Sequence, residues 1–140
     1  MPFLHDTNEV EGKWTDDGEH FTLTKPVYYK SLTYNTHNGQ PIRVPDGFVT
    51  DFASSWVGRY CLLSRKAAFS ASAVLHDWLY FEGMEPRKTA DLMFREALES
   101  QGVGAYDCWK AYWGVRAFGK AAWDNHRERD WTKKWHRKTL

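Results

Sequence analysis

Cysteine is scarce in this sequence, proline is sparse, and no long apolar run is present. The two cysteines, Cys61 and Cys108, stand far apart without metal-ligand spacing. That excludes a disulfide framework and a cysteine metal site, and it fits small buried hydrophobes in a reducing compartment. No stretch approaches the roughly 20 apolar residues of a membrane span. The opening "MPFLHDTNEVEGKW" is acidic and lacks the apolar core of a signal peptide. We therefore expect a soluble chain made in the cytoplasm. A formal net charge of +1 excludes a molecule that binds nucleic acid by its overall field.

What is present in excess is aromatic. Phe, Trp and Tyr make up 16% of the 140 residues, with eight Trp. At this length a core needs no covalent staples, and much of that core, or of a binding surface, must be ring against ring.

The chain divides into a strand half and a helix half. "EHFTLTKPVYYKSLTYNT" alternates as half-buried strands do. Asn38-Gly39 predicts a tight hairpin turn. "PIRVPDGFVTDF" continues as a strand broken at Pro45 and at the Asp46-Gly47 turn. From Ser64 to Glu82 there is neither Gly nor Pro, which predicts a helix stopped by Gly83. Pro86 suits the first turn of a second helix, closed by Gly102. A third is expected from Ala105 to about residue 125, with Gly114, Ala117 and Ala121 forming a small-residue face for close packing. The fold class is α+β: a small antiparallel sheet packed on a three-helix unit. We read residues 1–140 as one domain, strand-rich over about 1–56, helical over about 64–125, with a basic aromatic tail at 126–140.

Polar residues stand out in two apolar segments, "GFVTDFASSW" and "LHDWLYFEG". Burying such groups unpaired costs roughly 1–3 kcal/mol each, so Asp51, Ser54, His76 and Asp77 need partners. On a helix, Tyr80 lies one turn after His76, with Ser72 and Ala73 one turn before it. Asp91, in "TADLMF" of the next helix, can face His76 across the short helix–helix connection. One imidazole and three carboxylates suit Zn²⁺, Mn²⁺ or Mg²⁺, with Asp51, His76 and Asp91 as ligands. Such an ion could activate a water. His76, Asp77, Tyr80 and Ser54 are the catalytic candidates, His76 as base and Ser54 as nucleophile. A structural use of the same residues competes with this. Asp51 can cap the "FASS" turn, His76 and Asp77 can tie that turn to the helix, and Asp91 can pair with Arg95 one turn on. No cofactor is certain.

"GFVTDFASS", "AVLHDWLY", "TADLMFREAL" and "AYWGVRAFGKAAW" together resemble the small phage and prophage family known as domain of unknown function 1353. The resemblance covers roughly residues 20 to 123. Its polar positions fall on Thr50, Asp51, Ser54, His76, Asp77, Tyr80 and Asp91. Where the family usually has Pro soon after the Ser, this chain has Trp56. The resemblance implies a bacteriophage origin and no activity. The "HD" dipeptide is shared with all-helical metal phosphohydrolases, but their further helical His and Asp ligands have no counterpart here.

The tail "HRERDWTKKWHRKTL" sets Trp131 and Trp135 one helical turn apart beside Lys134 and other cations. Two tryptophans offer more apolar contact than phosphate binding requires. We expect protein partners, other phage structural proteins or further copies of this chain, rather than nucleic acid or membrane. The resulting expectation is a virion or assembly component, tail or head–tail associated, located in the host cytoplasm or built into the virion. The alternative is a metal-dependent hydrolase-like domain acting on cell-envelope polymer or a phosphoester.

Overall fold

Alternation every second residue builds two small sheets. The structure, a computed structural model, describes residues 10–14, 16, 20–34, 37–50 and 71–128. Strands β1 (Gly12–Trp14), β2 (Phe21–Leu23) and β5 (Val49–Thr50) form one antiparallel sheet in the order β1-β2-β5. Strands β3 (Val27–Tyr29) and β4 (Ile42–Val44) form the other, also antiparallel. In register, Phe21 faces Thr50, and Val27 faces Val44. Phe21, Leu23, Val27, Tyr29, Ile42 and Val44 all point inward, while Arg43 between the last two is exposed. That period of two is the signature the sequence carried.

The connection from β3 to β4 departs from the expected two-residue hairpin. A 3-10 turn at His37–Gly39 occupies it instead. His37 takes φ 53° and Gly39 φ 77°. The His37 imidazole meets Glu82 at 2.6 Å, and its backbone N–H donates to Glu85 at 3.1 Å. Tertiary anchoring by the far end of a helix thus replaces the local Asn-Gly turn. The Asp46-Gly47 turn is present, with Gly47 at φ 87°.

Helix α1 (Ala71–Glu82) runs through the core, with Ala71 to His76 buried without interruption. The expected stretch 64–70 lies outside the described residues. Gly83, at φ 69°, ends the helix, its N–H donating to Leu79 O at 3.1 Å in an αL cap. Helix α2 (Arg87–Ser100) follows Pro86 and buries Ala90, Asp91, Met93, Phe94, Ala97 and Leu98. That is the 3- and 4-residue spacing of one helix face. Gly102 closes it: its N–H bonds Glu99 O, and Val103 N–H bonds Leu98 O. These two bonds are the Schellman pattern.

Helix α3 (Ala105–Phe118) is shorter than expected. Gly119 interrupts it, and residues 120–128 form a fourth helix, α4. Among the described residues the helical half therefore has four helices rather than three, the break falling at a glycine, a residue of low helix propensity. Ala117 and Ala121 are exposed, so the small-residue face is not a packing seam among the described residues. The core has two parts. One joins both sheets to α1 and α2 through Leu23, Tyr29, Ile42, Val74, Leu75 and Met93. The other joins α2 to α3 through Phe94, Leu98, Cys108, Ala111 and Val115. No helix among the described residues is long and apolar enough to cross a membrane.

Candidate functional site: a buried carboxylate hub and an adjoining cleft

Asp91 lies on the inner face of α2, where its neighbours Ala90, Met93 and Phe94 are apolar and buried. A carboxylate there requires donors. The imidazole Nε2 of His76 sits 2.8 Å from Oδ1, and the Tyr80 hydroxyl donates to the same oxygen at 2.7 Å. Arg116, from α3, donates to Oδ2 at 2.8 Å. Arg87, one turn earlier on α2, stands 3.7 Å from Oδ2 and donates to the Val115 carbonyl at 3.2 Å. One carboxylate thus ties α1, α2 and α3 together.

Burial alone would raise the Asp91 pKa; the hydrogen bonds from His76, Tyr80 and Arg116 outweigh it and hold the carboxyl below its usual range. Asp91 is therefore an anion, and the His76 Nε2–H donates to it. Burial, with the Asp91 charge beside it, pushes the Tyr80 hydroxyl well above its ordinary range, so it stays protonated. The His76 ring packs against Tyr80 and Phe94, with centroids 4.3 and 4.7 Å away. His76, Tyr80 and Asp91 are at most 2% exposed.

Three of the sequence candidates, His76, Tyr80 and Asp91, therefore meet at one point. Asp77 does not join them. It leaves the next flank of α1 and accepts from the Thr50 hydroxyl at 2.5 Å, joining α1 to β5. Asp51 and Ser54, and Trp131, Lys134 and Trp135 of the tail, lie outside the described residues. Asp91 does not pair with Arg95, which instead approaches Glu99 at 4.0 Å and lies 4.1 Å over the Trp109 ring. The Asp91 oxygens are already taken by His76, Tyr80 and Arg116, and the Arg95 side chain turns along the helix toward Glu99 and the Trp109 ring.

As a metal ligand, Asp91 fits poorly. Both of its oxygens are taken, and two guanidinium groups beside them oppose a cation. The hub suits His76 better as an oriented group. The bond to Asp91 fixes the orientation of the ring. Among the described residues no group of three His, Cys, Asp or Glu is placed to hold a metal ion.

Arg87, Arg116 and Arg127 were not anticipated. Arg87 was visible as an i, i+4 partner of Asp91; Arg116 and Arg127 had no local signal. Arg127, on α4, donates to the carbonyls of Tyr80 and, at 3.0 Å, Phe81. It satisfies the last turn of α1, where a cation is favoured. Tyr29 similarly reaches across from β3, its hydroxyl donating to Glu96 of α2.

Beside Asp77 the surface opens into a cleft of about 1070 Å³ between the β4–β5 corner, α1 and α4. Phe48, Trp78, Phe81 and Phe118 line it together with His20 and His126.

Fold and hub define a small α+β protein in which one buried carboxylate joins helices α1, α2 and α3. The chain belongs to the family described as Protein of unknown function (DUF1353), whose model matches residues 24–115. That stretch contains Thr50, His76, Asp77, Tyr80, Arg87 and Asp91, and it ends one residue before Arg116. No curated protein and no solved structure matches the chain.

Proposed function

We propose that this protein is a virion or assembly component of bacteriophage type, tail or head–tail associated, that binds neighbouring subunits through one face of α3. The observation that carries this is a stripe of three exposed rings. Tyr106, Trp109 and Trp113, spaced three and four residues apart, are 78%, 45% and 62% exposed. The opposite face, with Cys108, Ala111 and Val115, is buried in the core. Large rings left in water on one side of a packed helix gain roughly 1.5–3 kcal/mol each when a partner covers them. Arg95 lies over Trp109, and Lys110 lies 5.3 Å over Tyr106, which holds the rings in place. Trp, Tyr and Arg are the residues that dominate protein–protein contacts. The phage setting rests on the resemblance of the four motifs, and the basic tail with Trp131, Lys134 and Trp135 would extend the contact.

The test is assembly. Wild type and the Trp109→Ser/Trp113→Ser variant are co-expressed with each structural protein of the source phage and sized by light scattering. Wild type should form a stoichiometric complex with a virion protein or with itself, and the variant should not, with its melting temperature unchanged. A variant that assembles like wild type, or a wild type that remains alone with every partner, overturns the proposal.

A second reading, a metal-dependent hydrolase on envelope polymer or a phosphoester, is favoured by one observation: a buried carboxylate orients the His76 ring. Asp91 would then position His76 rather than bind the ion. Elemental mass spectrometry on untagged wild type, Asp51→Asn and His76→Ala tests it. Near-stoichiometric zinc or manganese lost in both variants supports it, and no such metal in any sample removes zinc-type catalysis.

A further inference from the structure

His37 fastens the β3–β4 connection to the helical half through its backbone and its ring together. The backbone N–H donates to Glu85 Oε1 at 3.1 Å, and the carbonyl accepts from the Gln40 N–H at 3.0 Å. The ring stands between two carboxylates. Nε2 is 2.6 Å from Glu82 Oε1 at the end of α1, and Nδ1 is 3.3 Å from Glu85 Oε1 in the α1–α2 connection. Nδ1 is buried and meets Glu85 as an ion-pair partner rather than in an aligned hydrogen bond. The side chains of His37, Glu82 and Glu85 are 11%, 17% and 18% exposed, so water screens their charges only weakly. The charged groups facing the ring are thus Glu82 and Glu85; the turn itself, His37–Gly39, adds none.

Both ring nitrogens face carboxylate oxygens, and that decides which form of the ring fits. In a neutral imidazole one nitrogen is an acceptor, and here it would turn a lone pair toward a carboxylate. The imidazolium carries a proton on each nitrogen and a charge opposite to that of both glutamates. The backbone adds its own demand at the same residue. His37 takes φ 53°, a conformation uncommon outside glycine, so contacts rather than local preference keep the turn in place. Loss of the ring proton removes the charge that holds two carboxylates together and leaves a disfavoured backbone with less to retain it.

We propose that His37, Glu82 and Glu85 form a proton-operated clasp, closed on the end of α1 while His37 is protonated and released as pH rises and the proton leaves. The release is confined to the connection, because β3 and β4 stay paired through Val27–Val44 and Tyr29–Ile42. The α3 face takes no part, so this inference goes beyond subunit binding and does not depend on it.

The full chain is titrated by NMR from about pH 5.5, above the ordinary carboxylate range, to about pH 9, with EDTA present throughout. Nitrogen-15 shifts of the His37 ring report its protonation, and exchange of the His37 and Gln40 amides, corrected for the intrinsic effect of pH, reports the turn. The low-pH form should carry protons on both ring nitrogens, and protection of the two amides should fall about tenfold as one proton leaves. His37→Gln should abolish the pH dependence. Glu82→Gln, which takes away one carboxylate and leaves the backbone bond to Glu85, should move the release to lower pH. Protection that stays constant while the ring titrates overturns the proposal. So does a ring that keeps one proton, or both, across the whole range, a pH dependence that His37→Gln retains, or a release that Glu82→Gln leaves at the same pH.

Discussion

His76 and Asp91 stand 15 residues apart in the chain and meet at 2.8 Å where neither side chain is more than 2% exposed. The pair is the centre of the helical half. Through it, helix α1 is joined to α2, and Arg116 brings in α3. A buried charge of this kind is useful only when fully matched, since its desolvation is repaid by several donors at once.

Substituting Asp91→Asn keeps the shape and removes the charge that Arg87 and Arg116 face. The expected loss is about 3–5 kcal/mol, the usual consequence of breaking one side of a buried pair. Urea unfolding measures it. Arg116→Met should lose less, because the Arg116 side chain is partly exposed and water can serve it in other conformations. A loss below about 1 kcal/mol for Asp91→Asn would mean that the hub does not hold the helices.

Acid should act through the same carboxylate. The folded-state pKa of Asp91 is lowered from 3.8, so its contribution is fully present above the unfolded value and disappears as pH falls through the folded one. Wild type should therefore lose stability more steeply below about pH 4 than Asp91→Asn does. Urea midpoints from neutral pH downward make the comparison. Parallel curves would assign acid sensitivity to other groups.

Gly83 and Gly102 both adopt positive φ, 69° and 85°, but only one is crowded. A Cβ on Gly83 would collide with the Arg127 guanidinium, whereas one on Gly102 meets open space. Gly102→Ala should cost about 1 kcal/mol from backbone strain alone. Gly83→Ala should cost more, because it also displaces Arg127 from the carbonyls of Tyr80 and Phe81. Equal melting temperatures for the two variants would contradict the role given to Arg127.

Cys108 is buried between α2 and α3, its thiol donating to Val103 O at 3.4 Å. Burial pushes that thiol up to about 11, so little thiolate forms near neutrality. Alkylation followed by peptide mass spectrometry should leave Cys108 unmodified at pH 8 in the native protein and modify it in denaturant. Rapid native labelling would show that the α2–α3 seam opens.

What was legible in the sequence is what depends on near neighbours. The inward positions of β2, β3 and β4 follow from alternation, because successive side chains on a strand point to opposite faces. Gly83, Pro86 and Gly102 mark helix ends because their backbone preferences act within one turn. The meeting of His76 with Tyr80 and Asp91 was also within reach, since one pair is a helical turn apart and the other spans a short connection. Local rules failed where a distant element intervened. Asn38-Gly39 has hairpin chemistry, yet Glu82 and Glu85 draw His37 into a different turn. Arg95 sits one turn from Asp91 but turns to Glu99 and the Trp109 ring, and the carboxylate is balanced by Arg116, 25 residues away. Asp77 was grouped with His76 as its chain neighbour, but a helix turns about 100° per residue, so its carboxylate goes to Thr50 and the cleft. Composition and spacing by themselves determined an α+β chain rich in rings with polar residues that must be matched. Tertiary packing alone decided which cation balances Asp91, which aromatics are core, and which stand in water on α3 or line the cleft, because burial is a property of the folded surface and not of any single segment.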